Sequence, residues 1–355
     1  EHGESPATAP SPFGWEEDHG NMARTSPKDA DMPEPADRRR VLAATVAPIV
    51  AMTDQANTSD LHEACAQALE QALDTYETSD LAGILSGLTA LEETMRTVPR
   101  ARRLRGSVAL DWMRLHAAVT TTMAGAAYDQ GRHSDAMSLA DRAATVARAA
   151  GDGPLAGRAL TVRARVVRQH SPAVALQIAD AAGRIAGTSP ARALVAGKVS
   201  ASSYAAVGDV AGVRRSLAHA WKIMEMLDSS AQGRPGFALD TYSPADLALA
   251  SAEALTTVGV AEDAEPHLER ASELITNSGQ TGMVISVYMA RARAALSRDR
   301  PDPYEAKHHA SRAVSLSLQR PAEWVARLVH DISALATRRT GHDMDDLIAT
   351  TSPWF

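Results

Sequence analysis

Few side chains in this chain are spaced for chemistry. His62 and Cys65 lie three apart with Glu63 between them, and His308 and His309 are adjacent. A metal ion needs three or four converging ligands, and an i,i+3 pair is only a starting point. No second cluster stands at a suitable spacing, so no metal is expected, and Cys65 reads as core packing on an Ala-rich helix. The acidic pairs Glu92-Glu93 and Asp345-Asp346 read as helix-surface charge. There is no G-x-S-x-G elbow, no glycine-rich phosphate loop and no H-E-x-x-H. The expectation is a non-enzymatic protein without a cofactor.

The remaining candidates are binding residues, and their grouping follows from the elements that must carry them. The 355 residues are 45% hydrophobic yet only 4% aromatic, which favours close-packed helices over sheet. A formal charge of −7 does not suit a phosphate-binding surface. The single cysteine fits a reducing compartment, and a cytoplasmic location is expected. No apolar run reaches the roughly 18 residues that would span a bilayer.

Residues 1–35, rich in Pro, Ser and acidic side chains, read as a disordered linker. Arg38-Arg39-Arg40 before an apolar run superficially resembles a twin-arginine export signal. Pro48 interrupts that run, and no small-residue cleavage site follows. Because residue 1 is Glu rather than Met, the chain reads as a fragment or a processed form.

Residues 36–106 read as N-terminal helices packing on an array, and 107–350 as the array itself. Thr58 and Ser59 are cap candidates for a helix over 60–77, and Ser79 for one running to about Arg96. Pro99 is placed in the first turn of the next helix, beside Arg100, Arg102, Arg103 and Arg105. Later starts are marked by Ser171-Pro172, Ser189-Pro190, Ser243-Pro244 and Asp302-Pro303. Ends are marked by Gly131, Gly151, Gly187, Gly208, Gly259 and Gly279.

Small residues repeat after these breaks. Ala136, Ala140 and Ala143 follow Gly131; Val213, Leu217 and Ala220 follow Gly208; Ala264, Leu268 and Ala271 follow Gly259. Weaker copies are Ala175, Ala179, Ala182 and Ala306, Ala310, Ala313, which makes the spacings 39, 38, 51 and 42. Offsets of four and seven put each set on one helical stripe, facing the first helix of its pair. Trp112, Trp221 and Trp324 read as gap fillers between Ala-lined helices.

This layout resembles the tetratricopeptide repeat, whose usual period is about 34, with Ala, Val or Leu at most of the large aromatic positions. The resemblance implies an all-α right-handed superhelix of antiparallel helix pairs, with first helices lining a concave groove. In that register the groove presents Thr121, Tyr128, Arg168, Lys198, Ser202, Asp246, Glu253, Tyr288 and Arg291. Both charges and two tyrosines suit a peptide, a protein segment or a polar small molecule. Residues 228–243, DSSAQGRPGFALDTYS, read equally as a lid anchored by Phe237 and Tyr242 or as a plain insertion.

Segments 126–152, 204–227, 245–275 and 343–350 also resemble the C-terminal repeat regions of actinobacterial regulators with an Xre/Cro-type helix-turn-helix. That resemblance implies a sensing and dimerising region, homodimeric, reaching DNA only through a helix-turn-helix. None precedes the linker in this sequence, so DNA binding is carried to no residue here. A stand-alone interaction scaffold is the alternative.

Overall fold

Helix boundaries here are set by short polar side chains and by glycine. The structure, a computed structural model, describes residues 56–77, 80–276, 278–318 and 321–354. The expected linker over 1–35, the Arg38–Arg40 segment, the helix broken at Pro48 and the Ser79 cap lie outside the described residues. All regular secondary structure among the described residues is helical, with no strand among them.

The elements are α1 (Thr58–Asp74), α2 (Leu81–Ala101), α3 (Gly106–Asp129), α4 (His133–Ala149), α5 (Gly153–Arg168) and α6 (Pro172–Ala186). Helix α7 (Pro190–Leu194) passes through a π-helical turn, Val195–Ser200, into α8 (Ala201–Ala206). There follow α9 (Val210–Met226), the short α10 (Ser229–Gln232), α11 (Pro244–Thr257), α12 (Ala261–Thr276) and α13 (Thr281–Ser297). The chain ends with α14 (Pro303–Ser317), α15 (Glu323–Thr340) and α16 (Asp345–Thr351).

All six glycines expected at helix ends have positive φ, between 65° and 89°. The Gly-Asp breaks do two jobs at once. Gly151 and Gly208 end one helix in the left-handed region, and the next residue caps the following helix. Asp152 accepts from Leu155 N at 2.9 Å and Asp209 from Gly212 N at 2.8 Å. Ser243 and Asp302 cap through their side chains as expected, whereas Ser171 and Ser189 make no side-chain cap hydrogen bond.

Two N-terminal expectations are corrected. The cap of α1 is Asn57, whose Oδ1 accepts from Asp60 N at 2.8 Å. Pro99 is not a first-turn residue of α3; it lies inside the last turn of α2. Leu104 N donates to Pro99 O at 3.0 Å, and Arg103 turns the chain at φ 51°, so the arginine cluster forms a tight turn. Arg102 is held there by Thr58 Oγ1 and Ala56 O.

From α3 onward, consecutive helices pack as pairs: α3 with α4, α5 with α6, α11 with α12, α13 with α14. First helices of successive pairs also pack on one another, α3 on α5, α11 on α13 and α13 on α15. Every small residue of the five repeated stripes is buried, and each alanine among them is at most 1% exposed. The stripes serve two interfaces rather than one. Ala136 and Ala140 sit in a cluster with Ala124 and Ala127 of their own partner helix and Val162 and Val166 of the next pair. Helices α1 and α2 close the N-terminal side with Leu61, Leu88, Leu91 and the fully buried Trp112.

Ala140→Leu should therefore overpack α4 against both neighbours and cost about 1–3 kcal/mol. Ala90→Leu, on the exposed face of α2, should stay within about 0.5 kcal/mol. Urea denaturation of the two variants checks the difference.

Candidate functional site

First helices carry the polar residues of the molecule's interior. Arg158, Thr161, Arg165 and Arg168 recur at spacings of three, four and three along α5, which is one helical stripe. Asp246, Leu249, Ala250 and Glu253 form the equivalent stripe on α11, and Thr121 and Tyr128 lie two turns apart on α3. These stripes border two adjoining cavities of about 100 and 470 Å³. Tyr76, Glu77, Asp129, Arg165, Lys198, Asp246 and Met283 line both. The larger one extends to Ser286 on α13 and to Trp324 and Arg327 on α15.

Lys198 reaches this space from the π turn. An extra residue in a helix shifts the faces on its two sides by about 100° relative to each other. Gly197 lies beside it, where a Cβ would press on the end of the Leu247 side chain and stand 3.6 Å from the Tyr242 hydroxyl.

The segment 233–242 crosses from α10 to α11 as a strap. Phe237 stacks on Tyr76 with ring centroids 4.6 Å apart and planes 16° from parallel. Phe237 N donates to Glu77 Oε1 at 3.1 Å, and Gly236 N donates to Asp246 Oδ2 at 3.1 Å. Arg158 Nη1 donates to Thr241 O at 2.9 Å, and its guanidinium carbon lies 5.8 Å from the Phe237 ring centre. An ion pair of Arg234 with Asp74 adds a surface tie. Gly236, Phe237 and Tyr242 of this segment line the smaller cavity.

The charges balance in sign but not in hydrogen bonding. Asp129 accepts from the Tyr76 hydroxyl at 2.7 Å and lies 3.8 Å from Arg165, whose guanidinium covers the Tyr128 ring at 3.9 Å. Burial disfavours the Arg165 charge, but Tyr128, Asp129 and Tyr76 outweigh it and hold its pKa above the ordinary value. Burial would likewise raise the Tyr128 phenol; Arg165 and Arg168 outweigh it and hold the phenol below its usual range. Burial pulls Arg158 down to about 10 despite Asp246, and pushes the Asp246 carboxyl up to about 6 despite Lys198 and the Gly236 N–H.

Of the nine groove residues expected from sequence, the structure gathers Thr121, Tyr128, Arg168, Lys198, Asp246 and Glu253 around the cavities. Thr121 is fully buried, and its hydroxyl donates back to Ala117 O at 2.8 Å. Ser202, Tyr288 and Arg291 are not among the lining residues. Ser202 lies one turn past Lys198, beyond the π turn that reorients the helix. Tyr288 packs beside His309 with ring centroids 6.0 Å apart. Arg291 faces α12, donating to Ser272 Oγ at 3.0 Å and lying 3.7 Å from Glu265.

Sequence reading missed Tyr76, Glu77, Asp129, Arg158 and Arg165. The α5 arginine stripe was visible as a periodicity; the strap contacts were not. Trp112 fills the core as expected, whereas Trp324 also lines the larger cavity. Trp221 donates from Nε1 to Ser251 Oγ at 3.3 Å, under Arg270.

No family model matches the chain, and no curated protein matches it. Among the described residues no group of three or more His, Cys, Asp and Glu is arranged to hold a metal ion. Burial pushes the Cys65 thiol up to about 12. No helix among the described residues is long and apolar enough to cross a membrane.

Two outcomes follow. Asp246 binds its proton more tightly folded than unfolded, so its burial costs stability above about pH 6 and nothing below about pH 4. Asp246→Asn keeps an acceptor for Gly236 N and should stabilise the protein by about 2–3 kcal/mol at pH 7.5. That advantage should shrink towards zero by pH 4; denaturation curves across this range check it. Phe237→Ala should cost about 2 kcal/mol through the lost stack and burial and should speed chymotryptic cleavage after Leu239.

Proposed function

We propose that this chain is the ligand-sensing and dimerising region of a bacterial transcription regulator, built as a tetratricopeptide-like superhelix. The packing of first helix on first helix in successive pairs supports the superhelical arrangement. The observation that carries the functional reading is the pair of cavities on those first helices, with charged side chains of both signs on their walls and a strap forming part of the smaller one's lining. A cavity with a few converging polar groups and apolar walls is the common form of a small-molecule or peptide site.

The proposed mechanism uses the strap and the array together. Occupancy of the cavities changes how the first helices pack, and hence the separation of DNA-binding domains attached to two protomers. Homodimerisation belongs to the same proposal, because paired half-sites are read by paired domains.

The reading is tested by taking the full coding region, including whatever lies upstream of Glu1, and purifying its product from the native host. The expected result is a helix-turn-helix ahead of residue 1, a dimer in light scattering, and a peptide or small molecule released on denaturation and seen by mass spectrometry. Glu253→Ala should lower the amount released at least several-fold. An upstream frame without any DNA-binding domain, together with a protein that releases no ligand, would sink the reading.

A further inference from the structure

The smaller cavity holds a surplus of hydrogen-bond donors. Its carboxylates are served by the protein itself: Glu77 by Phe237 N–H, Asp129 by the Tyr76 hydroxyl, Asp246 by Gly236 N–H. Arg165 is paired with Asp129, but two other cations are not served in the same way. Arg158 is only 5% exposed and has no carboxylate within 4.0 Å among the described residues; its described hydrogen bond is the one to Thr241 O. Lys198, half-buried beside it, has neither a hydrogen bond nor an ion pair among the described residues.

The Tyr242 hydroxyl is the sharper observation. Tyr242 is 4% exposed, lines the same cavity, and its hydroxyl has no hydrogen-bond partner among the described residues. A buried hydroxyl left unpaired is costly, and so is a buried guanidinium that Asp246 attracts only from beyond ion-pair distance. Their meeting in one cavity is explained by a group that supplies acceptors and negative charge to both.

We propose that the smaller cavity is a subsite for an oxyanion head group, a carboxylate or a phosphate, held by Arg158, Lys198 and the Tyr242 hydroxyl beneath the strap. The inference deepens the sensing proposal and rests on it. Guanidinium presents a planar fork that matches two oxygens of such a group, ammonium adds a movable point charge, and the phenol adds one directed donor. The cavity of about 100 Å³ takes the head group alone. The rest of the ligand extends into the larger cavity, where Tyr128 and Met283 offer apolar surface and Glu253 stands ready for a donor or a cation. Arg158 also touches the strap through Thr241 O and the Phe237 ring, so an anion on Arg158 acts on the segment that closes the site.

The test uses the whole chain and two probes, sodium phosphate and sodium acetate, each titrated at constant ionic strength against chloride with the melting temperature as readout. The expected result is a saturable rise with at least one probe. Phosphate acting alone identifies a phosphate ester, and acetate acting identifies a carboxylate. Lys198→Met and Tyr242→Phe should each weaken the apparent affinity at least tenfold. Tyr242→Phe should fold at least as stably as the parent, because it removes the unpaired hydroxyl, so loss of its response is not loss of fold. A response no larger than that of chloride, or one unchanged in both variants, overturns the subsite. A ligand released from the native protein that carries no oxyanion also overturns it, yet leaves the sensing proposal standing. Absence of any released ligand and of any DNA-binding domain would instead remove the sensing proposal.

Discussion

Alanine at the helix crossings is the constraint on which everything else in this molecule depends. A methyl group at Ala136, Ala140, Ala143 and their counterparts lets neighbouring axes approach closely, and the fully buried stripes leave no slack for a larger side chain. Gly153 and Gly157 carry the same logic further on α5: a Cβ at either would lie within 3 Å of α6 atoms. With second helices pressed this tightly against first helices, the long polar side chains of the first helices are directed away from those contacts. They gather on the remaining side, where α3, α5, the π turn and α11 meet.

Gathering charges in a partly enclosed space has consequences that surface ion pairs do not have. In low dielectric, each charge must find a partner or shift its pKa. Asp129, Arg165, Tyr76 and Tyr128 solve this among themselves, and the opposing displacements of Tyr76 and Tyr128 show how local the solution is. Arg158, Asp246 and Tyr242 do not solve it fully. Burial keeps the Asp246 pKa raised although two cations and a backbone N–H favour its charged form. A site of this kind is poised to respond to a further charged group.

The strap adds a wall to the smaller cavity. Its hold is made of unlike parts: an aromatic stack, two backbone N–H groups on carboxylates, a guanidinium on a backbone carbonyl and a surface ion pair. Each tie ends on a residue that also lines a cavity or lies within four residues of one that does. Opening the strap and altering the charges of the site are therefore coupled, as ligand-responsive segments require.

The sequence by itself determined the local grammar. Glycine at the ends, Ser-Pro and Asp-Pro at the starts and alanine at fixed offsets depend on backbone sterics and short-range hydrogen bonds, which neighbours along the chain decide. Those signals located the helices, the buried stripes and six of the nine expected wall residues. They failed at Pro99, where a proline tolerated in a last turn reads the same as one in a first turn. They failed again at Ser202, where a π turn shifted a register that a uniform 3.6-residue period cannot foresee. Tertiary structure alone decided that residues 76–77 and 236–237, some 160 positions apart, would share one wall, and that Arg158, Tyr242 and Asp246 would line one cavity. Such pairings follow from how whole helices pack in space, and nothing in the spacing of residues along the chain encodes them.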